Sequence, residues 1–505
     1  MNTSDLRLAL PAAGCWAASA AALAAPIAVN VALAGVLAVV GCAVAAWGWR
    51  ESESKREWAV TIAAACGVTA ASAVAVTLRI VAVDAAPIRA AEGKPVVELE
   101  VTGDPKYLPH SQMLLPVKIR TLSGRNQRPV AAQLAATAGP VDPLPGERYR
   151  VRVRARPPKP GPSNRLSAAR LSAVGELRLV RGPPWWQSVA GRVRERLRDI
   201  SALSLPERAA GLLPGLVLGD TSGLDQETSD NFRAAGLSHL VAVSGSNFAL
   251  VCGAVILGIR MTGASAKTVV VLGAFTIVGF VILVRPTDSV LRAAVMGSVG
   301  LAAGLGSRRA QALPALGTAV IIVVLLWPQM ALSPGFALSV AATLGLVLWA
   351  VPIRRALVRR GLPEWLATLA AMTLAAQILT TPLLVLITDT VNVLAVPANL
   401  LAVPVVGMAG LLGTAAAVIG ALGPRYGPGG VLAEFLIRAA GPPTRWLIVV
   451  ADWLGAPGWA SITIPAWFGF VLILVTGACW GIWHVRRVAG DDRPVVPVWH
   501  HGKGE

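Results

Sequence analysis

Residues 211–252 read GLLPGLVLGDTSGLDQETSDNFRAAGLSHLVAVSGSNFALVC, and the fold turns on how this stretch sits in its surroundings. Leu237 to Ile259 is long enough to cross a bilayer, at ~1.5 Å per residue against ~30 Å of hydrocarbon. Ser244-Gly245-Ser246-Asn247 interrupts it near its centre, with His239 a turn or so earlier. Polar groups and a glycine at that depth cost free energy unless neighbours or a hydrated cavity satisfy them. Two readings stand side by side. One is a broken helix at mid-membrane, the device that lines a substrate path; the other is a helix that begins at Ser244 as N-cap, with Leu237–Val243 interfacial. Upstream, Asp225 is placed to cap a short helix through Ala235, with Gly236 as its stop. Gly219-Asp220 before Ser222-Gly223 reads as a turn, and no lysine follows to make a phosphate-cradling loop.

Around this stretch the chain is apolar. Hydrophobic residues make up 55% of 505 and charged residues 14%, which excludes an ordinary soluble enzyme. Windows of 18 or more apolar residues recur, so the expected class is a multi-pass α-helical membrane protein of about 9–11 spans. The formal charge of +18 exceeds what cytoplasmic loops need and asks for an anionic partner, lipid headgroups or nucleic acid. The five cysteines all fall in apolar segments, and no HxH, HExxH or CxxC occurs. Neither a disulfide framework, a metal site, a cofactor nor a catalytic group is therefore expected.

In chain order, residues 1–83 hold three helices, two of them separated by Pro26 and Asn30. Arg50, Lys55 and Arg56 place the loop before the third in the cytoplasm, which sends Asp84 outside. Residues 84–184 change character. Val96–Val101, Leu114–Leu122, Val130–Ala135, Arg148–Arg156 and Leu171–Val180 are strand-like and separated by Pro, Gly and Asn, which suits a small extracytoplasmic β-barrel of the OB type. In the fourth strand Arg148, Arg150, Arg152, Arg154 and Arg156 alternate with Tyr149, Val151, Val153 and Ala155. Alternation sets five arginines on one face at ~6.6 Å spacing, a ladder that phosphates would neutralise; a solvated outer strand is the plainer alternative. No aromatic cluster accompanies it, so base stacking is not indicated.

Residues 185–236 open with Trp185-Trp186 and a basic amphipathic helix expected on the membrane surface. Residues 237–485 follow as regular spans, with Arg260/Lys267, Arg308/Arg309 and Arg354/Arg355/Arg359/Arg360 on the cytoplasmic side and a cytoplasmic tail at 486–505. Val393–Ile419 contains Pro397, Asn399, Pro404 and Gly407, the pattern of a second broken or re-entrant helix. Residues 425–455 look interfacial. Asp288 and Arg292 stand four apart at a helix start; for Arg292, as for His239 and Asp220, structural pairing (here an i,i+4 ion pair) and contact with phosphate are alternative readings.

GLVLGDTSGLD and FRAAGLSHLVAVSGSNFALV, followed by LRAAVMGSVGLAAGLGSRR, LWPQMALSPGFALSVAATLGLVL and AQILTTPLLVLITDTVNVLAVPANLLAVPVVG, resemble the ComEC family of bacterial DNA-uptake channels. The likeness runs from about 200 to 485. It implies transport of single-stranded transforming DNA across the cytoplasmic membrane, with a helicase-like ATPase and an outer DNA receptor as partners. Motif positions carried over are Gly219, Asp220, Ser222, Gly223, Leu237, His239, Ser244, Gly245, Arg292, Pro334, Gly335, Gln377, Pro397 and Asn399; Ser246 and Asn247 join them as candidates for the path. Asn247 stands where the family usually has His. The chain stops at Glu505 without the HxHxDH cluster of the metallo-β-lactamase-like domain many members carry, so no nuclease activity is expected. A small-molecule or lipid secondary transporter, or a degenerate scaffold, are the alternatives.

Overall fold

The computed structural model describes residues 7–108, 110–139, 142–241, 245–303, 312–424, 427–456 and 459–491. Three helices open the chain, α1 (Ala9–Ala24), α2 (Ile27–Gly48) and α3 (Glu53–Asp84). Pro26 separates the first two, and the buried Asn30 amide donates to the Ala22 carbonyl at 2.9 Å. This polar side chain of an apolar hairpin thus satisfies a carbonyl that α1 leaves open at its end.

A six-stranded sheet follows, formed by β1 (Val96–Val101), β2 (Lys106–Leu108), β3 (Gln112–Leu122), β4 (Arg125–Thr137), β5 (Arg148–Arg156) and β6 (Arg170–Arg181). Three of the five expected strands lengthen and two keep their expected bounds, and the three-residue β2 was too short to be seen as a strand in the sequence. The order is β1-β5-β6-β4-β3-β2, with β1 also paired to β3 and with β4 and β6 parallel. Period-2 alternation packs Val97, Leu99, Val117, Ile119, Leu134, Val151 and Val153 into one interior.

The rest is helical: α4 (Trp185–Ser204), α5 (Glu207–Leu218), α6 (Gln226–Ala234), α7 (Ser238–Val241), α8 (Gly245–Met261), α9 (Ala266–Val284), α10 (Asp288–Ala303), α11 (Ala312–Leu326), α12 (Pro334–Arg359), α13 (Glu364–Thr388), α14 (Ala395–Ala421), α15 (Pro428–Gly455) and α16 (Ala466–Asp491). A short ribbon pairs β7 (Thr390–Asn392) with β8 (Ser461–Thr463). Among the described residues six helices are long and apolar enough to cross a membrane, by length and composition, and four further apolar helices are shorter.

Three expectations change. The segment around Pro397 and Asn399 is not broken, because α14 is one 27-residue helix. Pro397 falls in its first turn, where no intrahelical N–H is required, and the helix runs on through Pro404. The Leu401 carbonyl, one turn before Pro404, accepts the Trp446 indole N–H from α15 at 3.0 Å. Residues 428–455, expected to be interfacial, form a helix whose inner face is buried in the largest core. Helix α4 also turns its apolar stripe, Val193, Leu197 and Ile200, into that core rather than toward lipid, while Trp185 and Trp186 remain exposed.

Candidate functional site

The reason α4 is drawn inward lies in its arginines. Arg194, only 8% exposed, donates to the carbonyls of Leu218 at 2.9 Å and Leu283 at 3.3 Å, in the last turns of α5 and α9. Arg196 reaches the Gly420 carbonyl at 3.3 Å, in the last turn of α14. Three helix C-termini therefore converge on α4, and guanidinium groups satisfy carbonyls that no further helical turn can reach. Arg79 does the same for α11 through Leu325 and Leu326. Part of the positive surplus noted in the sequence is spent on these ends.

The same helix holds the β domain. Asp104 lies 3.2 Å from Arg194 and 3.1 Å from Arg285, and Asp142 lies 3.4 Å from Arg198 while accepting from the Tyr107 hydroxyl. Burial and the Asp142 hydrogen bond push the Tyr107 phenol up to about 12, so it stays a donor. Asp220 closes the cluster from below, 3.3 Å from Arg198 and 3.8 Å from Arg194, with the Ser222 hydroxyl at 2.6 Å. Burial raises its pKa, but Ser222 and the two arginines outweigh that and hold it below the ordinary value. Asp220 is thus engaged in a junction. The neighbouring Asp225 caps α6 through the Thr228 N–H at 2.7 Å, as its spacing predicts.

Residues 242–244, between α7 (Ser238–Val241) and α8 (Gly245–Met261), lie outside the described residues, and the break expected at Ser244 falls among them. Ser246 belongs to α8. His239 of α7 is exposed. Asn247 is buried, donates to the Leu216 carbonyl of α5 at 3.0 Å, and packs against Gly410 of α14. Arg292 of α10 is 8% exposed and donates to Ser339 of α12 at 2.9 Å and to the Met296 sulfur at 3.4 Å. It makes no ion pair with Asp288, whose carboxylate instead accepts from Ser333 at the start of α12.

Other candidates stand apart. Gln377 accepts from Thr381 one turn away on α13, at 2.8 Å. Asn399 is buried and donates to the Ala395 carbonyl of its own helix at 2.7 Å. The two asparagines are not brought together. Asn247 meets α14 at Gly410, eleven residues beyond Asn399.

The arginine ladder lies on the outer face of β5, with Arg150, Arg152, Arg154 and Arg156 exposed and Arg148 half-buried against Glu100 at 3.3 Å. The sequence did not disclose what stands opposite. Arg148, Arg150 and Arg156 face Arg181, Arg178 and Arg170 of β6 across the strands. Like charges directly opposite repel, and β1 supplies only Glu98 and Glu100 on the other side. The available signal was RLSAVGELRLVR itself, whose arginines sit at both ends of an anticipated strand.

These features define a multi-pass helical membrane protein carrying a separate β-sheet domain that is seated on it by an arginine–aspartate junction. Residues 216–488, more than half of the chain, match the family model described as "Competence: Competence protein". The chain belongs to this competence protein family. Over 228 residues it is 28% identical to ComE operon protein 3 of Bacillus subtilis (strain 168), an alignment that covers 45% of this chain and 28% of that protein. The alignment thus spans under a third of that relative's length. No solved structure matches.

Proposed function

We propose that this chain conducts a single strand of DNA across the bacterial cytoplasmic membrane during natural transformation, with residues 84–184 outside. One observation carries the reading: an exposed β5–β6 surface on which arginine faces arginine in three cross-strand pairs. Such a surface is stabilised by a polyanion laid along it, and phosphates of an extended strand repeat at a comparable interval to residues i and i+2 of β5. The pairing circuit β1-β5-β6-β4-β3 returning to β1 supports a closed Greek-key barrel of the OB type, an architecture used on oligonucleotides. Family membership supports the same role.

From that surface the strand is handed past α4 toward the start of α8, where Arg292 lies against Gly245. Largely uncharged walls suit conduction, since a continuous wall of cations would hold the strand too long. A cytoplasmic ATPase supplies the pull, and acidic lipid contacts Trp185, Trp186 and the exposed basic rim. The test is deletion of the gene in a transforming host, followed by measurement of labelled DNA that becomes nuclease-protected inside the cell. Protection at the normal rate without the protein would sink the proposal.

A further inference from the structure

Arg292 is a cation held in the membrane domain without a counter-ion. Its natural partner by spacing is Asp288, but a Cβ on Gly335 would fall 2.7 Å from the Asp288 carboxylate, which is pinned instead at the N-terminus of α12. Among the described residues no other carboxylate pairs with Arg292; its contacts are the Ser339 hydroxyl and the Met296 sulfur. A guanidinium carries five N–H donors. Two are used on Nε and Nη1, and Nη2 has no hydrogen-bond partner among the described residues. That nitrogen is directed at Gly245, where an added Cβ would lie 2.8 Å from it. Gly245 is where the described part of α8 begins. Ser289, 3.1 Å from Ser339, adds a second hydroxyl beside the guanidinium. A lone charge of this kind is expensive in a membrane protein and marks a place an anion visits.

We propose that Arg292 is a phosphate-binding position inside the membrane domain, at which a phosphodiester of the passing strand supplies the missing negative charge. This rests on the reading that a nucleic-acid strand passes here, and it adds where and through which atoms. A phosphodiester offers two anionic oxygens, which accept from Nη2 and its neighbour in the guanidinium fork. Ser339 is then a positioning residue that holds Nε and aims the fork. A single cation, rather than a row, retains the strand briefly and lets it leave.

The test uses the full-length protein in planar bilayers under an applied voltage, which drives an anionic strand without a motor. Blockade dwell times are measured for a phosphodiester oligonucleotide and for one with a central run of uncharged methylphosphonate linkages, on wild type, Arg292→Gln and Arg292→Lys. Arg292→Gln is expected to shorten dwell of the charged strand by roughly tenfold, Arg292→Lys by less. The neutral linkages shorten it on wild type but add nothing on Arg292→Gln, the non-additivity of two changes to one contact. Additive losses overturn the assignment, as do equal losses in Lys and Gln variants accompanied by a lowered thermal midpoint. Wild-type protein that admits neither strand overturns the transport reading, and this with it.

Discussion

Arg208 and Asp452, on α5 and α15, meet in two parallel hydrogen bonds of 2.8 Å each. Asn231 of α6 adds a third to the same carboxylate at 2.9 Å, and Thr228 accepts from the Arg208 Nε. The consecutive helices α5 and α6 are thus tied to the distant α15 at one carboxylate. Both side chains of the pair are more than a third exposed, so water screens the charge and geometry carries more of the effect. Asp452→Ala is expected to destabilise by about 1 kcal/mol, and Arg208→Lys by a similar amount because an ammonium cannot reproduce the fork. A double-mutant cycle on thermal unfolding in detergent checks this; independent effects of the two changes would refute the pairing.

On the β domain, stability and binding should move in opposite directions. Changing Arg150, Arg152 and Arg154 together to Gln removes repulsion against Arg178 and within β5, so the domain is expected to hold or gain a few tenths of a kcal/mol. Affinity of the full-length protein for single-stranded DNA should fall, and the slope of log K against log salt should shrink by about 2 for three lost phosphate contacts. An unchanged slope would show that the strand binds elsewhere.

Gly245→Ala separates two roles of one residue. The new methyl group would displace Nη2 of Arg292, a flexible side-chain end, so folding should change by less than about 1 kcal/mol. Conduction should fall toward the level of Arg292→Gln. Normal dwell times in this variant would mean the guanidinium is not needed where it lies.

The junction has a predictable response to acid. Asp220 has a folded pKa below its unfolded value of about 3.9, so its contribution is present above that value and is lost as pH falls through the folded one. Glu100, buried in part but paired with Arg120 and Arg148, is lowered as well and responds in the same sense. Thermal stability attributable to these two groups should be flat from neutral pH to about 5 and drop below about 4. Asp220→Asn should remove the Asp220 share of that dependence and leave the Glu100 share, while a loss centred near pH 6 would point to another group.

What the sequence revealed followed the reach of its signals. Alternation in β5 is a local period, and it put the five arginines on one face correctly. Asp225 and Gly236 marked α6 because capping acts over three or four residues. Arg194 and Arg198 were misplaced on a lipid surface because their carboxylates, Asp104, Asp142 and Asp220, come from loops elsewhere in the chain. Pro397 suggested a break because its position within a turn was unknown. At the first turn it costs nothing, and the Asn399 amide folds back onto Ala395. Arg292 looked like half of an ion pair with Asp288, and only the approach of α12 shows the acid engaged elsewhere.

The β domain is fastened at two separated points. Asp84 at the end of α3 holds Arg89 at 2.8 Å and Arg165 at 3.3 Å, while Asp104 is gripped from α4 and the end of α9. A body held at two points can turn only about the line that joins them. A load on its outer face therefore reaches α4, and through Arg194 and Arg196 the ends of α5, α9 and α14.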